Sequence, residues 1–335
     1  MKFTYEQFQQ DQLGGMPAPV EGVSLTGQTI LITGANIGLG FEAAKHFANR
    51  GPGKLVIVCR NEKKGEDALE RIRSETGFQN VELWIADFGS FESVKALKSK
   101  IDALDRLDIL VENAGIAAYD YAETKDGWES SLQVNVLGPA YHIVLSLPKL
   151  LKTAKNHPET VPRVVVVTSG LHHWANITPE VVEAAKPLEF MNVKDRYNPD
   201  NRYNESKALE VMFVRALQFH LPSVTCCTVS PGFCHSELNR GAVGERDEAI
   251  KNRAKQLAHT TEEGSRQLLY AAIGQRDREK EMRAGYVTYS KVSECSDFIL
   301  SEEGQRLEKK MWTEIRGLLA EVDGEAKDVV EKYLS

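Results

Sequence analysis

Two side chains in Arg202-Tyr-Asn-Glu-Ser-Lys207 have the types and the spacing for proton transfer. On a helix, positions i and i+4 share a face one turn apart, so the Tyr203 phenol and the Lys207 ammonium would be neighbours. A cation beside a phenol favours the phenolate, which is expected to bring the tyrosine below its usual pKa of about 10. Tyr203 would then donate or accept a proton near neutral pH. The same spacing also occurs on ordinary solvated helices, so the pair needs a site around it.

The elements that would build such a site begin near the N-terminus. Thr29-Ile-Leu-Ile-Thr33 has the β-branched, apolar composition of a short buried strand. Gly34-Ala-Asn-Ile-Gly38-Leu-Gly40 follows at once, and Phe41 to Arg50 has helical composition before Gly51-Pro52 stops it. Strand, glycine turn and helix together make a dinucleotide cradle. The glycines permit the tight turn, and the backbone approaches a pyrophosphate at the helix N-terminus. The spacing is Gly-x-x-x-Gly-x-Gly rather than the commoner Gly-x-Gly-x-x-Gly. The next strand-like run, Val56-Ile-Val-Cys-Arg60, ends where the adenosine ribose would be read, and Lys63 and Lys64 follow. An acid there would bond the 2′-hydroxyl of NAD, whereas an arginine suits the 2′-phosphate of NADP. NADP is therefore expected over NAD.

With that loop spacing, the later Asn113-Ala-Gly115 and the Tyr203/Lys207 pair, the chain resembles the short-chain dehydrogenase/reductase family. In detail it looks most like fungal members related to retinol-dehydrogenase-type reductases. The resemblance implies that Gly34, Asn36, Ile37, Gly38, Leu39 and Gly40 form the cofactor loop and that Asp87 contacts the adenine. It further implies that Asn113, Ala114 and Gly115 lie beside the adenosine ribose, and that Pro231, Gly232 and Ser236 belong to the turn passing the nicotinamide. The implied catalytic set is Ser169, Tyr203, Lys207 and Asn135, with Tyr203 and Lys207 also touching the cofactor. NADP-preferring relatives often carry a basic residue just before the second glycine, where this chain has Ile37.

The reaction implied is hydride transfer between NADP(H) and a carbonyl or alcohol. Tyr203 would give or take the proton, Ser169 would steady the oxygen, and Lys207 with Asn135 would resupply the proton through water. Plainer roles stand beside these. Asp87 could be an N-cap for a helix starting at Ser90-Phe91, Asn113 a turn residue, and Ser169 a cap or turn serine. Asn135 lies in a helical stretch that disfavours it, so it either faces solvent or holds a water. Two other function classes remain: a redox-neutral isomerase or cyclase on the same fold, and a non-catalytic NADP-binding protein. The intact Ser/Tyr/Lys/Asn set speaks against both.

Along the chain, strand-like runs at Lys54–Val58, Val81–Ala86, Leu107–Val111, Arg163–Val167, Val224–Val229 and Gly285–Tyr289 alternate with helical segments. The helical segments are Glu62–Ser74, Phe91–Leu104, about Gly127 to Lys152, Tyr203–Leu221 and Thr261–Ile273. Such alternation predicts an α/β fold: one Rossmann-type, doubly wound parallel sheet with helices on both faces. Ligands then bind beyond the strands' carboxyl ends, where the strand order reverses. Residues 1–26 read as a polar, irregular N-terminal arm, 27–290 as the sheet domain, and 291–335 as a helical extension packed on it. Within 301–319, Leu307, Met311, Ile315 and Leu318 recur at helical spacing. Residues 172–200 and 233–260 have no recognised pattern and are expected to shape a substrate pocket, with Trp174 and Phe233 as possible walls.

The chain of 335 residues, 42% hydrophobic and 27% charged, is ordinary globular material. Its formal charge of −7 argues against a polyanion-binding surface, so no nucleic-acid partner is expected. No apolar run is expected to reach the ~18 residues of a membrane span, and no signal-like stretch opens the chain, which points to the cytoplasm. Cys59, Cys226, Cys227, Cys234 and Cys295 lack Cys-x-x-Cys spacing and are expected as reduced thiols. Cys234, near the nicotinamide turn, is read as structural ahead of reactive. His172-His173, or His235 with Glu237, lack a third ligand at helical spacing, so no metal is expected. The expected partner is a small, apolar carbonyl or alcohol. Monomer or homo-oligomer is left open.

Overall fold

The computed structural model describes residues 3–335. Its strands are β1 Thr29–Thr33, β2 Lys54–Cys59, β3 Val81–Ile85, β4 Ile109–Glu112, β5 Arg163–Val167, β6 Thr225–Val229, β7 Tyr286–Thr288 and β8 Lys291–Ser293. They form one sheet in the order β3-β2-β1-β4-β5-β6-β7-β8. From β3 through β7 every pairing is parallel, and β8 returns antiparallel on β7. The order reverses between β1 and β4, so the segments after those two strands flank the crevice at the carboxyl edge.

The strands are apolar because both faces are covered. In β1, Ile30 and Ile32 join the core on one side and Leu31 the core on the other. In β5, Val165 and Val167 split from Val164 and Val166 in the same way. This is the two-residue side-chain period of a strand buried on both faces. Helices Gly38–Ala48 and Thr261–Ile273 cover one face, and Gly138–Asn156, Arg202–His220 and Glu302–Val322 the other.

Several sequence expectations need correction. The arm is not irregular throughout: Tyr5–Leu13 is a helix, capped by the Thr4 hydroxyl accepting the Gln7 N–H. The stretch Phe91–Leu104 is two short helices, Phe91–Lys95 and Lys98–Ala103, with Leu97 buried at the break between them. β8 was not expected. Its hairpin turns through Tyr289 and Ser290, both at positive φ (48° and 54°), a conformation usually given to Asn or Gly.

The segment Leu132–Asn156 is, by length and composition, apolar enough to cross a membrane, contrary to expectation. Its apolar window is 83% buried inside the protein, so it is a core helix pair covering the sheet.

The C-terminal extension is Glu302–Val322 followed by Gly324–Tyr333, with Ser301 capping the first helix. Leu307, Met311 and Ile315 are buried as their spacing requires, and Leu319 rather than Leu318 completes the buried row. Glu314 accepts the N–H groups of Leu188 and Glu189, both at 2.8 Å, at the start of the short helix Pro187–Met191. The extension thus props the inserted 172–200 segment.

Candidate active site

The glycine turn after β1 is held from below. The Thr33 hydroxyl accepts the N–H groups of Asn113 (2.9 Å) and Ala114 (3.0 Å), which locks the ends of β1 and β4 together. The Asn113 amide donates to Thr33 O (2.9 Å) and Gly34 O (3.1 Å). Both of its donors are spent on bracing the turn, and Asn113 lines the crevice beside the glycine loop. Gly34 takes φ 67°. At Gly40 a Cβ would lie 2.4 Å from Asn113 Nδ2 and 2.5 Å from Gly34 O, which excludes any side chain.

Helix Gly38–Ala48 starts with Ile37 in the N-cap position and no side-chain cap. Its first amides are therefore orphan donors pointing out of the helix end, the arrangement a pyrophosphate requires. Arg60, just past β2, is exposed and has no hydrogen bond or ion pair among the described residues. Asp87 accepts the Gly89 N–H at 2.9 Å, while Ser90 caps the following helix, so Asp87 is not that helix's N-cap. An open donor end, a turn that tolerates no Cβ and an unpaired arginine fit a dinucleotide.

Ser169 follows β5 and caps the turn Gly170–Trp174. Its carbonyl accepts the Nδ1–H of buried His172 at 2.7 Å, and His172 Nε2 accepts the Ser296 N–H at 3.2 Å. Both ring nitrogens are occupied in the neutral form, and burial beside His173 holds the imidazole down at about 3. His173 is likewise held at about 4 by burial.

Tyr203 and Lys207 lie on the helix Arg202–His220 as expected, with Lys207 Nζ 5.5 Å from the Tyr203 ring centre. The phenol, however, is displaced upward rather than downward: burial raises it, Lys207 pulls against that, and Glu210 adds to the rise. Lys207 Nζ donates to Val167 O (2.9 Å) and Glu210 Oε1 (2.7 Å), which leaves one proton for another partner.

Asn135 is held by partners that lie far from it in the sequence. It is fully buried in a π-helical turn, Leu132–Leu137. Its Nδ2 donates to Ile116 O (3.0 Å) and Ser206 Oγ (2.9 Å), and its Oδ1 accepts the Ile116 N–H (2.9 Å). It does not face solvent; both amide protons are taken, and Oδ1 keeps one lone pair that can accept from a water. It ties the segment after β4 to the helix of Tyr203.

One cavity of ≈ 1320 Å³ is lined by every expected site residue except Asn135: Gly34, Asn36 to Gly40, Arg60, Asp87, Asn113 to Gly115, Ser169, Tyr203, Lys207, Pro231, Gly232 and Ser236. Trp174 and Phe233 also line it. Cys234 is buried, its thiol pushed up to about 12 and donating to Pro231 O, which fits the structural reading. All five cysteines are free. No group of three potential metal ligands occurs among the described residues.

Sequence reasoning missed the N-terminal wall. Phe3, Phe8, Asp11 and Gln12 line the same cavity. Phe8 meets Trp174 edge to face at 5.9 Å, and Phe3 lies 5.5 Å from the same ring. Gln12, 4% exposed, fixes this wall. Its Nε2 donates to Phe233 O and Leu257 O, and its Oε1 accepts from Phe233 N and Tyr289 Oη. A lone glutamine with partners more than two hundred residues away leaves no local sequence signal.

The doubly wound sheet with an open helix end at its switch point defines a Rossmann-type dinucleotide-binding protein. Residues 28–186 match the family model described as short chain dehydrogenase. The chain is 32% identical over 324 residues to the short chain dehydrogenase/reductase dmxR8 of Cryptosporiopsis sp., covering 94% of this chain and 95% of that one. Short chain dehydrogenase atnD of Emericella nidulans is 36% identical over 273 residues, covering 79% and 85%. Among solved structures, an uncharacterised protein from Mycobacterium Paratuberculosis superposes with a TM-score of 0.67 at 27% identity, covering 90% and 96%. The chain belongs to the short-chain dehydrogenase/reductase family, a family of nicotinamide-dependent oxidoreductases.

Proposed function

We propose that the protein is an NADP(H)-dependent reductase or dehydrogenase that interconverts a carbonyl and an alcohol on an apolar, aromatic small molecule. Tyr203 is its acid and base, and its place is fungal secondary metabolism. One observation carries the reading: a single cavity is lined by unpaired Arg60, by Ser169 and Tyr203, and by the aromatic wall of Phe3, Phe8 and Trp174. Relatives from fungi support a fungal setting, and the aromatic wall supports an apolar substrate.

When bound, NADPH supplies the hydride. The chain supplies orientation and the proton. The uncapped amides at Gly38 to Gly40 and the remaining proton of Lys207 hold the cofactor's pyrophosphate and ribose, and Arg60 pairs with a 2′-phosphate. Tyr203 Oη donates its proton to the substrate oxygen as that oxygen gains charge, with the Ser169 hydroxyl as a second donor. The aromatic wall excludes water from the reacting carbon. Oxidation reverses each step.

The test is NADPH consumption across a panel of aromatic ketones and aldehydes. Oxidation of NADPH with stoichiometric alcohol supports the proposal. Substrate conversion without net cofactor turnover would replace it with an isomerase or cyclase, and tight NADPH binding without conversion would leave a binding protein. For cofactor choice, Arg60→Asp should weaken NADPH by roughly 10- to 100-fold, the worth of a charge-assisted pair, and leave NADH nearly unchanged. Equal loss for both would remove Arg60 as the phosphate reader.

A further inference from the structure

The helix Arg202–His220 carries a third ionisable group on its reactive face. Tyr203, Lys207 and Glu210 follow one another at steps of four and three, so each meets the next. Lys207 Nζ and Glu210 Oε1 are 2.7 Å apart, with side chains only 5% and 4% exposed. The second carboxylate oxygen, Oε2, is buried with no hydrogen-bond partner. Burying a carboxylate oxygen without a partner costs stability, which the ion pair with Lys207 offsets only in part.

We propose that Glu210 is a positioning residue that offsets the charge of Lys207 and so keeps Tyr203 protonated through the neutral range, biasing the enzyme toward proton donation and carbonyl reduction. This rests on reading Tyr203 as the acid.

The groups facing the triad are few. From the end of β5 come the hydroxyls of Thr168, which donates to Lys207 O at 2.8 Å, and Ser169. From the segment after β4 comes the Tyr119 phenol, which is coupled to Tyr203. Among the described residues Glu210 is the acid that pairs with Lys207. Arg202 and Glu205, on the same helix, instead pair with each other, and Arg202 also with Glu129.

The directions agree with this balance. Burial lowers Lys207, but Glu210 and Tyr203 outweigh it and carry the ammonium upward. Burial raises Glu210 to about 7 against the pull of Lys207. As pH rises through neutrality the carboxylate charge appears, and it opposes loss of the phenolic proton.

The experiment needs neither cofactor nor substrate. Tyrosinate absorbance is titrated in wild type and in Tyr203→Phe, and the difference isolates Tyr203. The same difference is taken for Glu210→Gln with and without Tyr203→Phe. The amide retains an acceptor for Lys207 but no charge. The Tyr203 midpoint should fall by about one pH unit or more in Glu210→Gln, a tenfold change in ionisation constant. An unchanged or higher midpoint overturns the proposal. Should Glu210→Gln not fold, Glu210→Asp, which draws the carboxylate back from Lys207, decides under the same subtraction: a lower Tyr203 midpoint supports the offset, and an unchanged or higher one refutes it. Failure to oxidise NADPH would defeat the functional reading while leaving this titration readable, so the two are told apart.

Discussion

The two halves of the cleft are built on different principles. The cofactor half rests on the ends of β1, β2 and β4 and is made largely of backbone, with Thr33 and Asn113 bonding across adjacent strands. The substrate half is assembled from the N-terminal helix, the 172–200 insertion, the segment around Phe233 and the C-terminal extension. Long-range polar ties hold it: Gln12 to Phe233, Leu257 and Tyr289, His172 to Ser296, and Glu314 to Leu188 and Glu189. A backbone cradle tolerates almost no change in its glycines, whereas a tied wall should loosen piece by piece without destroying the cradle.

The largest effect should come from the cradle. Gly40→Ala places a methyl against Asn113 Nδ2 and Gly34 O, and overpacking of this kind costs about 1–3 kcal/mol. NADPH binding measured by fluorescence should weaken by roughly 100-fold, with a fall in Tm. Unimpaired binding would show that the turn is not the cradle.

Gln12→Ala should divide the halves. It strands buried groups of Phe233, Leu257 and Tyr289, and each unsatisfied partner costs about 1–3 kcal/mol. KM for the carbonyl substrate should rise roughly tenfold or more, with a much smaller change in NADPH Kd, and proteases should cut the 3–26 segment sooner. An equal change in both constants would mean the N-terminal helix is not specific to the substrate half.

Acid should act on the same half. His172 and His173 are held neutral when folded, at about 3 and about 4, against about 6.5 unfolded. Below that value the unfolded chain binds more protons, so stability is complete above pH ~6.5 and declines as pH falls toward 3. Hydrogen exchange should show the Ser296 amide and the 170–175 turn opening before β1 and β4. Uniform loosening would contradict the comparison. The smallest effect is expected from Phe8→Ala, where an edge-to-face contact worth about 0.5–1.5 kcal/mol predicts a KM rise of roughly 2- to 10-fold for aromatic substrates alone.

The same contrast explains what the sequence disclosed. The glycine turn, Arg60 and the β5 boundaries Arg163–Val167 were legible because each follows from adjacent residues: composition, spacing and strand period. The partners of Asn135, Ile116 and Ser206, were not legible because tertiary folding brings them to it. The Tyr203–Lys207 pair was legible as geometry, but the direction of its electrostatics was not, since burial and Glu210 decide it. The hairpin at Tyr289-Ser290 lacked turn residues to announce it, and Gln12 carried no pattern at all.

The central claim is that Tyr203 delivers the proton in a cleft whose cofactor half is independent of it. Single-turnover oxidation of bound NADPH by a reactive aromatic ketone, in wild type and Tyr203→Phe, tests it most directly. NADPH affinity should be unchanged in the variant while the rate falls about 10²- to 10⁴-fold, as expected for loss of a general acid. Turnover at the wild-type rate in Tyr203→Phe would contradict it.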